Sequence, residues 1–293
     1  MSVRPSPIKP SFPIGIRTYA GEAWGTEQGH SHAPIRTFHR RPTVFMLPKA
    51  CACDTLSQME PETIVWKGRC GPFELKVGSS TFRPSTISML LAESMEIDEG
   101  GIVIDAGCGS GVLSIVAAKL GASMVYGVDA APDTVEVATA NAVAQGVGNH
   151  TRFFQGDMFD PLPGNVEADV IIGDVSGIPD DLATVSGWFP SGLAGGPSGA
   201  ELPMRMLEEA RRLLRRGGKL FLPTGTLQDE RSILDKARSG FGSIRQLAER
   251  AIPLPSGLAH QPAVLKLLTD RVIDLTERGS RLLWTARVWE VTV

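Results

Sequence analysis

The 293-residue sequence predicts an α/β fold with a mostly parallel sheet, preceded by an extension of coil and short strands. Three observations predict it. Short apolar runs alternate with helix-like segments from Ile102 to Arg238, the order that βαβ units require. Glycine or proline marks most of the changes from one segment to the next. The first of these runs ends in an acid, Asp105, followed by Gly107, Gly109 and Gly111 at alternate positions and then by a helical pattern.

Residues 1 to about 60 are rich in Pro, Gly, Ser and Thr and have no sustained period. Pro5, Pro7, Pro10 and Pro13 exclude a regular helix there, so an irregular extension is expected. Its segment Arg36–Arg41 mixes basic and aromatic residues and reads as a solvated arm. Such an arm, if ordered, favours a homodimer. Residues 61–98 read as strands and a helix leading into the core. Thr63–Trp66 and Phe73–Val77 look like two strands of a hairpin around Gly71-Pro72, and Ser85–Met95 like a helix.

Residues 99–293 read as the main domain. Strands are expected at Ile102–Asp105, Met124–Val128, Arg152–Gln155, Val170–Ile172 and Lys219–Leu222. Helices are expected at Val112–Leu120, at Pro132–Gln145 with proline in its first turn, at Leu202–Arg215 and at Asp229–Arg238. Gln246–Ile252 and Leu283–Val291 look like two more strands. Between them, Pro253–Ser280 reads as an insertion with one apolar helical run, a candidate lid and substrate selector together with the N-terminal arm.

A net charge of −3 offers no basic face for nucleic acid or for a membrane surface, so neither is expected as a partner. No apolar run approaches the roughly 18 residues of a membrane-spanning helix. The first residues, Met-Ser-Val-Arg-Pro, lack the apolar core of a signal peptide, and a cytoplasmic protein is expected. The four cysteines, Cys51, Cys53, Cys70 and Cys108, are too few for a disulfide framework. Cys51 and Cys53, even with His30, His32 and His39 upstream, match no zinc spacing, and no metal is expected.

A glycine-rich turn between strand and helix lets the backbone approach a ligand closely and presents the helix N-terminus to it. Asp129 follows about 24 positions after Asp105, near the spacing at which a Rossmann-type fold places a ribose-binding carboxylate. Two ligands compete. A dinucleotide needs Gly-x-Gly-x-x-Gly, whereas here the third glycine comes one position early. Asp105 would also repel a pyrophosphate, but it suits a cation such as the amino-acid end and sulfonium of S-adenosylmethionine. Asp157 and Met158 could hydrogen-bond and cover an adenine. S-adenosyl-L-methionine is therefore the expected cofactor, held by Thr86, Asp105, Gly107, Gly109, Gly111, Asp129, Ala130, Asp157, Met158 and Asp174.

Asp105–Gly111, Gly127-Val-Asp129, Gly156-Asp157 and Gly217-Gly218 resemble the successive motifs of class I S-adenosylmethionine-dependent methyltransferases. Arg83-Pro-Ser-Thr86 and Leu193–Gly199 followed by Arg205 are similar to segments of the release-factor glutamine methyltransferase branch. The resemblance covers roughly Cys70 to Gly242. It implies a Rossmann-like, seven-stranded class I methyltransferase sheet. In that branch the fourth strand ends in Asn-Pro-Pro-Tyr, which holds a planar amide or amino nitrogen under an aromatic ring. Here the segment is Asp174-Val-Ser176-Gly177: Asp174 takes the Asn place and Gly177 removes the ring.

Asp174 and Ser176 are the candidate catalytic residues. As a carboxylate, Asp174 could accept a proton or orient an acceptor for in-line attack; it could equally cap a turn. Ser176 could bond the substrate or simply belong to the turn. Trp188 and Phe189 could form an apolar substrate wall. His260, in the insertion, is a less direct candidate for a base. The loss of Asn-Pro-Pro-Tyr leads to the expectation of a small-molecule acceptor, methylated at N, O or C. The alternatives are a protein (glutamine-type) or RNA methyltransferase, or a non-catalytic partner subunit that keeps the cofactor site.

Overall fold

The computed structural model describes residues 61–189 and 194–293. The N-terminal arm, with Arg36–Arg41, Cys51, Cys53 and the three upstream histidines, lies outside the described residues, as does the dimer contact expected of it. β1 (Glu62–Trp66) and β2 (Phe73–Val77) form an antiparallel hairpin. β2 alternates buried Phe73, Leu75 and Val77 with exposed Glu74 and Lys76, the signature of a strand with one face inward. α1 (Thr86–Ser94) follows. Its N-cap Ser85 accepts from Ile87 N at 3.1 Å, and the Ser88 hydroxyl reaches back to Ser85 N at 3.3 Å.

The domain then alternates β3 (Ile102–Ala106), α2 (Val112–Lys119), β4 (Met124–Asp129), α3 (Thr134–Ala144), β5 (Thr151–Gln155), β6 (Ala168–Gly173), α4 (Asp180–Ser186), α5 (Glu201–Ala210), β7 (Leu214–Gly225), α6 (Glu230–Gly240), β8 (Ser243–Pro253), α7 (Pro262–Thr269), β9 (Thr276–Arg278) and β10 (Arg281–Thr292). The sheet order is β5-β4-β3-β6-β7-β10-β8, with short β9 pairing β10 at one end. The first five strands of that order run parallel; β10 enters antiparallel between β7 and β8. This is the Rossmann-like seven-stranded arrangement that the motifs imply, with β9 added. Successive residues of β3 feed opposite layers. Val103 packs with Leu91, Ile115 and Val116 of α1 and α2, while Ile104 packs with Met206, Leu207 and Ile233 of α5 and α6.

The structure departs from the sequence expectations at three points. The helix expected at Leu202–Arg215 stops at Ala210, and β7 runs through Gly217-Gly218. Leu213 and Leu214 continue the apolar helical spacing, but β6 claims their backbone: Ala168 N donates to Leu213 O at 2.7 Å. Arg215 consequently lies on a strand, paired with Asp169 at 2.9 Å, rather than at a helix end. α4 occupies a segment to which the sequence pattern assigns no element. Pro179 ahead of it, Asp180 and Asp181 in its first turn and Gly187 in the left-handed conformation after it are ordinary start and stop signals, hidden in a Gly/Pro/Ser-rich stretch. Pro132 precedes α3 instead of opening it, since the N-cap is Asp133. Among the described residues, no helix is long and apolar enough to cross a membrane.

Candidate active site

A cavity of about 750 Å³ opens at the carboxyl ends of β3, β4 and β6. Chain order reverses there, because β4 and β6 flank β3 on opposite sides. The crossovers leave in opposite directions and a crevice remains between them.

The glycine turn forms its floor. Gly107, Gly109 and Gly111 all have positive φ, at 77°, 49° and 77°. Gly107 carries the strongest constraint. A Cβ there would lie 2.5 Å from the Asp174 carbonyl oxygen, so the turn after β3 and the loop after β6 meet backbone to backbone. Gly107 N and Cys108 N donate to Val128 O at 2.9 and 3.0 Å, which fixes the turn to β4.

Three carboxylates surround this floor. Asp105, fully buried, accepts from Ser114 Oγ at 2.6 Å, and its Oδ1 has no partner. Burial pushes its pKa up to about 7 against the Ser114 bond, and the charge of Asp174 adds to the rise. Asp129, at the end of β4, accepts from Gly109 N at 2.9 Å and Ala131 N at 2.8 Å. Burial raises its pKa, and those two backbone N–H groups oppose the rise. Asp174, one residue past β6, accepts from Ser88 Oγ at 3.0 Å. Burial raises its pKa to about 6, opposed by the Ser88 bond. Arg83 is the only basic residue of the lining among the described residues, and it pairs outward with Glu62 at 2.7 Å. The cavity is therefore built for a cation or a neutral group, not for phosphate.

Thr86, Ala130, Asp157 and Met158 line the same cavity. Met158 has φ 46°, a left-handed backbone uncommon for a residue with a side chain, and is buried. Asp157 is tied by one oxygen to Arg205 at 2.8 Å, which explains the arginine on α5. On the far side, beyond Asp174, the wall is apolar: Ile178, Trp188, Leu227, Ile252 and Trp284 contribute, with Pro253 and Pro255 from the start of the expected insertion. Phe189 stacks on Phe82 with ring centroids 5.0 Å apart. Ser176 lines this side, its Oγ buried and unpartnered.

Thr86, Gly107, Gly109, Asp129, Ala130, Asp157, Met158, Asp174 and Ser176 thus line one cavity, while Asp105 and Gly111 lie behind its lining, Asp105 fully buried at the end of β3. His260 does not line it; it is exposed on the turn before α7. Sequence reasoning missed four supports. Ser88 carries a capping hydroxyl to Asp174. Asp133 holds Ser80 N at 2.9 Å and Thr81 Oγ1 at 2.8 Å, pinning the loop over the glycine turn. Asn141 bridges Lys76 and Ser110 O, with all three bonds between 2.8 and 2.9 Å. Gln228, in the turn after β7, lines the acceptor side. Its position at the carboxyl end of the strand beside β6 was a usable signal; the other three had none in the sequence.

The residues present fit S-adenosylmethionine. Ser110 Oγ in the lining, and Asp105 Oδ1 behind it, are buried polar atoms that no group among the described residues satisfies. Asp129 is held by backbone groups at the rim. Among the described residues no group of three His, Cys, Asp or Glu could hold a metal ion.

Residues 78–177 match the family of ribosomal protein L11 methyltransferases (PrmA). A ribosomal protein L11 methyltransferase of Pelotomaculum thermopropionicum is 28% identical over 205 residues, 68% of this chain and 59% of that protein. A protein of Methanocaldococcus jannaschii, provisionally named a protein N5-glutamine methyltransferase, is 28% identical over 56% of this chain and 82% of its own length. The solved T. thermophilus 16S rRNA methyltransferase, in complex with AdoMet and guanosine, shares the fold at TM-score 0.50 and 15% identity, over 78% of this chain and 50% of that one. The chain therefore spans less than two thirds of the first of these relatives and half of the solved enzyme.

These matches bear out the resemblance carried by the motifs. The chain has the class I methyltransferase fold, and its residues 78–177 are similar to S-adenosylmethionine-dependent methyltransferases. They overturn the expectation of a small-molecule acceptor and partner, because the relatives are named for protein acceptors and the structural neighbour for an RNA. The error has a physical source. Losing Asn-Pro-Pro-Tyr removes a clamp for a planar amide; it does not remove a place for other nitrogens of a macromolecule.

Proposed function

We propose that this chain is an S-adenosylmethionine-dependent methyltransferase that modifies a nitrogen of a protein. The observation that carries the acceptor class is Asp174: a carboxylate beside the glycine turn, held by Ser88, facing a cavity whose one basic residue among those described, Arg83, is paired with Glu62. Such a group recruits an amine better than a phosphate-bearing strand. The names of the relatives support a protein acceptor, and a ribosomal protein is the first to try.

Asp105 and the three glycines would hold the amino-acid and sulfonium end of the cofactor, Asp129 and Ala130 its ribose, and Asp157 and Met158 its adenine. Thr86 closes the same wall. S-adenosylmethionine supplies, when bound, a methyl group on a sulfonium already activated toward nucleophiles. The protein's part is alignment and proton handling. Asp174 would accept a hydrogen bond from the acceptor N–H, so that the nitrogen lone pair faces the methyl donor, and take up the proton that the nitrogen releases as it becomes methylated. The apolar wall keeps water from competing. The two cysteines among the described residues, Cys70 and Cys108, are free thiols, which fits a cytoplasmic setting for this chemistry.

Calorimetry with S-adenosylmethionine and with NAD tests the cofactor assignment: binding of the first alone is expected, and Asp129→Ala is expected to weaken it. Heat with NAD, or with neither, contradicts it. Mass spectrometry of ribosomal proteins incubated with enzyme and cofactor tests the acceptor. Methylated protein is the expected product, and methylated rRNA with unmodified protein contradicts the reading.

A further inference from the structure

We propose that Gln228 and Ser176 form a neutral hydrogen-bonding subsite that reads a carbonyl oxygen of the acceptor polypeptide. This rests on the methyltransferase reading above and adds a recognition element to the same cavity. Gln228 is only 8% exposed, yet its side-chain Nε2 has no partner. Ser176 Oγ is buried and equally without one. A buried amide or hydroxyl left unbonded is costly, so two of them on one wall ask for a ligand group.

Their position assigns them to the acceptor and not to the cofactor. Ser176 follows β6 and Gln228 follows β7, on the opposite side of β3 from Asp129 and Met158. Gln228 lies across Gly177, where any Cβ would run into its Oε1, so the missing side chain at 177 is what makes room for this amide. The loop beneath is rigidly backed. A Cβ at Gly195 would lie 2.9 Å from Ser176 O, and one at Gly199 would lie 2.6 Å from Gly177 O.

The chemistry of the ligand follows from the donors. An amide –NH2 only donates, and a hydroxyl can donate beside it. Trp188, Leu227, Ile252 and Trp284 make the surroundings apolar, with no charge to balance an anion. A neutral, strong acceptor is required, and on a polypeptide that is a carbonyl oxygen. While Asp174 takes the nitrogen, the pair would fix the carbonyl next to it and set which segment enters.

The test uses the 293-residue chain with 15N-labelled glutamine side chains, saturated with S-adenosylhomocysteine, and N-methylacetamide as the probe. The Gln228 –NH2 signals are identified by their absence in Gln228→Leu. They are expected to shift saturably with the probe, and Ser176→Ala is expected to weaken the probe about fivefold, the worth of one neutral hydrogen bond. Calorimetry should give both variants wild-type affinity for S-adenosylhomocysteine, which also shows that they fold. Unmoved Gln228 signals in a protein that binds S-adenosylhomocysteine overturn the subsite while leaving the methyltransferase reading intact. A large loss of S-adenosylhomocysteine affinity in either variant also overturns it, by assigning the residue to the cofactor. Failure of the wild type to bind S-adenosylhomocysteine defeats the underlying reading and the subsite with it.

Discussion

At the scale of single residues, the cavity trades stability for ligand. Asp105 has a pKa of about 7 because it is buried with one oxygen unsatisfied. The native state therefore holds a proton that the unfolded chain releases near pH 4. Stability is complete below that pH and falls as pH rises toward 7, by up to about 4 kcal/mol in all. Asp105→Asn is expected to abolish this loss: denaturant unfolding of the ligand-free protein at pH 5 and pH 8 should differ much less than in wild type. The same variant should bind S-adenosylmethionine at least about tenfold more weakly, since a charge-assisted bond is gone. Asp174 gives the second prediction. It must be ionised to accept a proton, so kcat/KM, which reports the free enzyme, should rise through pH 6 as Asp174 ionises. Asp174→Asn should lower kcat by roughly 10²-fold or more with little change in cofactor affinity; unchanged kcat would reduce Asp174 to a turn cap.

At the scale of elements, α1 and the glycine turn place these acids. Ser88 both closes the α1 capping box and donates to Asp174. Ser88→Ala should therefore do two things at once. It should lower stability by about 0.5–1 kcal/mol, and it should move the acidic limb of the rate profile to higher pH, because the removed bond was lowering the Asp174 pKa. A cap with no catalytic connection would give the first effect alone. Gly107→Ala should cost about 2 kcal/mol or more and impair cofactor binding, because it combines positive φ with a collision against the Asp174 backbone; a melting curve and calorimetry check both. The cofactor half of the site was legible because its demands are local: an acid, three glycines at fixed spacing and a second acid at the next strand end. The strands were legible for a related reason, since buried parallel strands such as Ile102–Ala106 are short apolar runs bounded by turn residues. The end of α5 was not legible, because Leu213 and Leu214 fit a helix until β6 is present to pair with them. Ser88 and Asn141 were not legible either. Each acts across a long sequence separation through side-chain bonds that no local spacing encodes.

At the scale of the whole molecule, two halves of one crevice have different origins. Its cofactor side comes from β3, β4 and the loop ahead of α1. Its acceptor side is assembled from distant segments: the loop after β6, the turn after β7, the end of β8 and Trp284 of β10, which inserts antiparallel between β7 and β8. The acceptor was the one major property misread from the sequence, since its determinants converge only when the sheet closes. Transfer of a tritiated methyl group from S-adenosylmethionine into a cell extract, followed by separation by size and treatment with protease or ribonuclease, tests the central claim most directly. The predicted result is label in a macromolecular fraction that protease releases and ribonuclease leaves in place, greatly reduced with Asp174→Asn. Label released by ribonuclease, or no transfer by a protein that binds the cofactor, would contradict it.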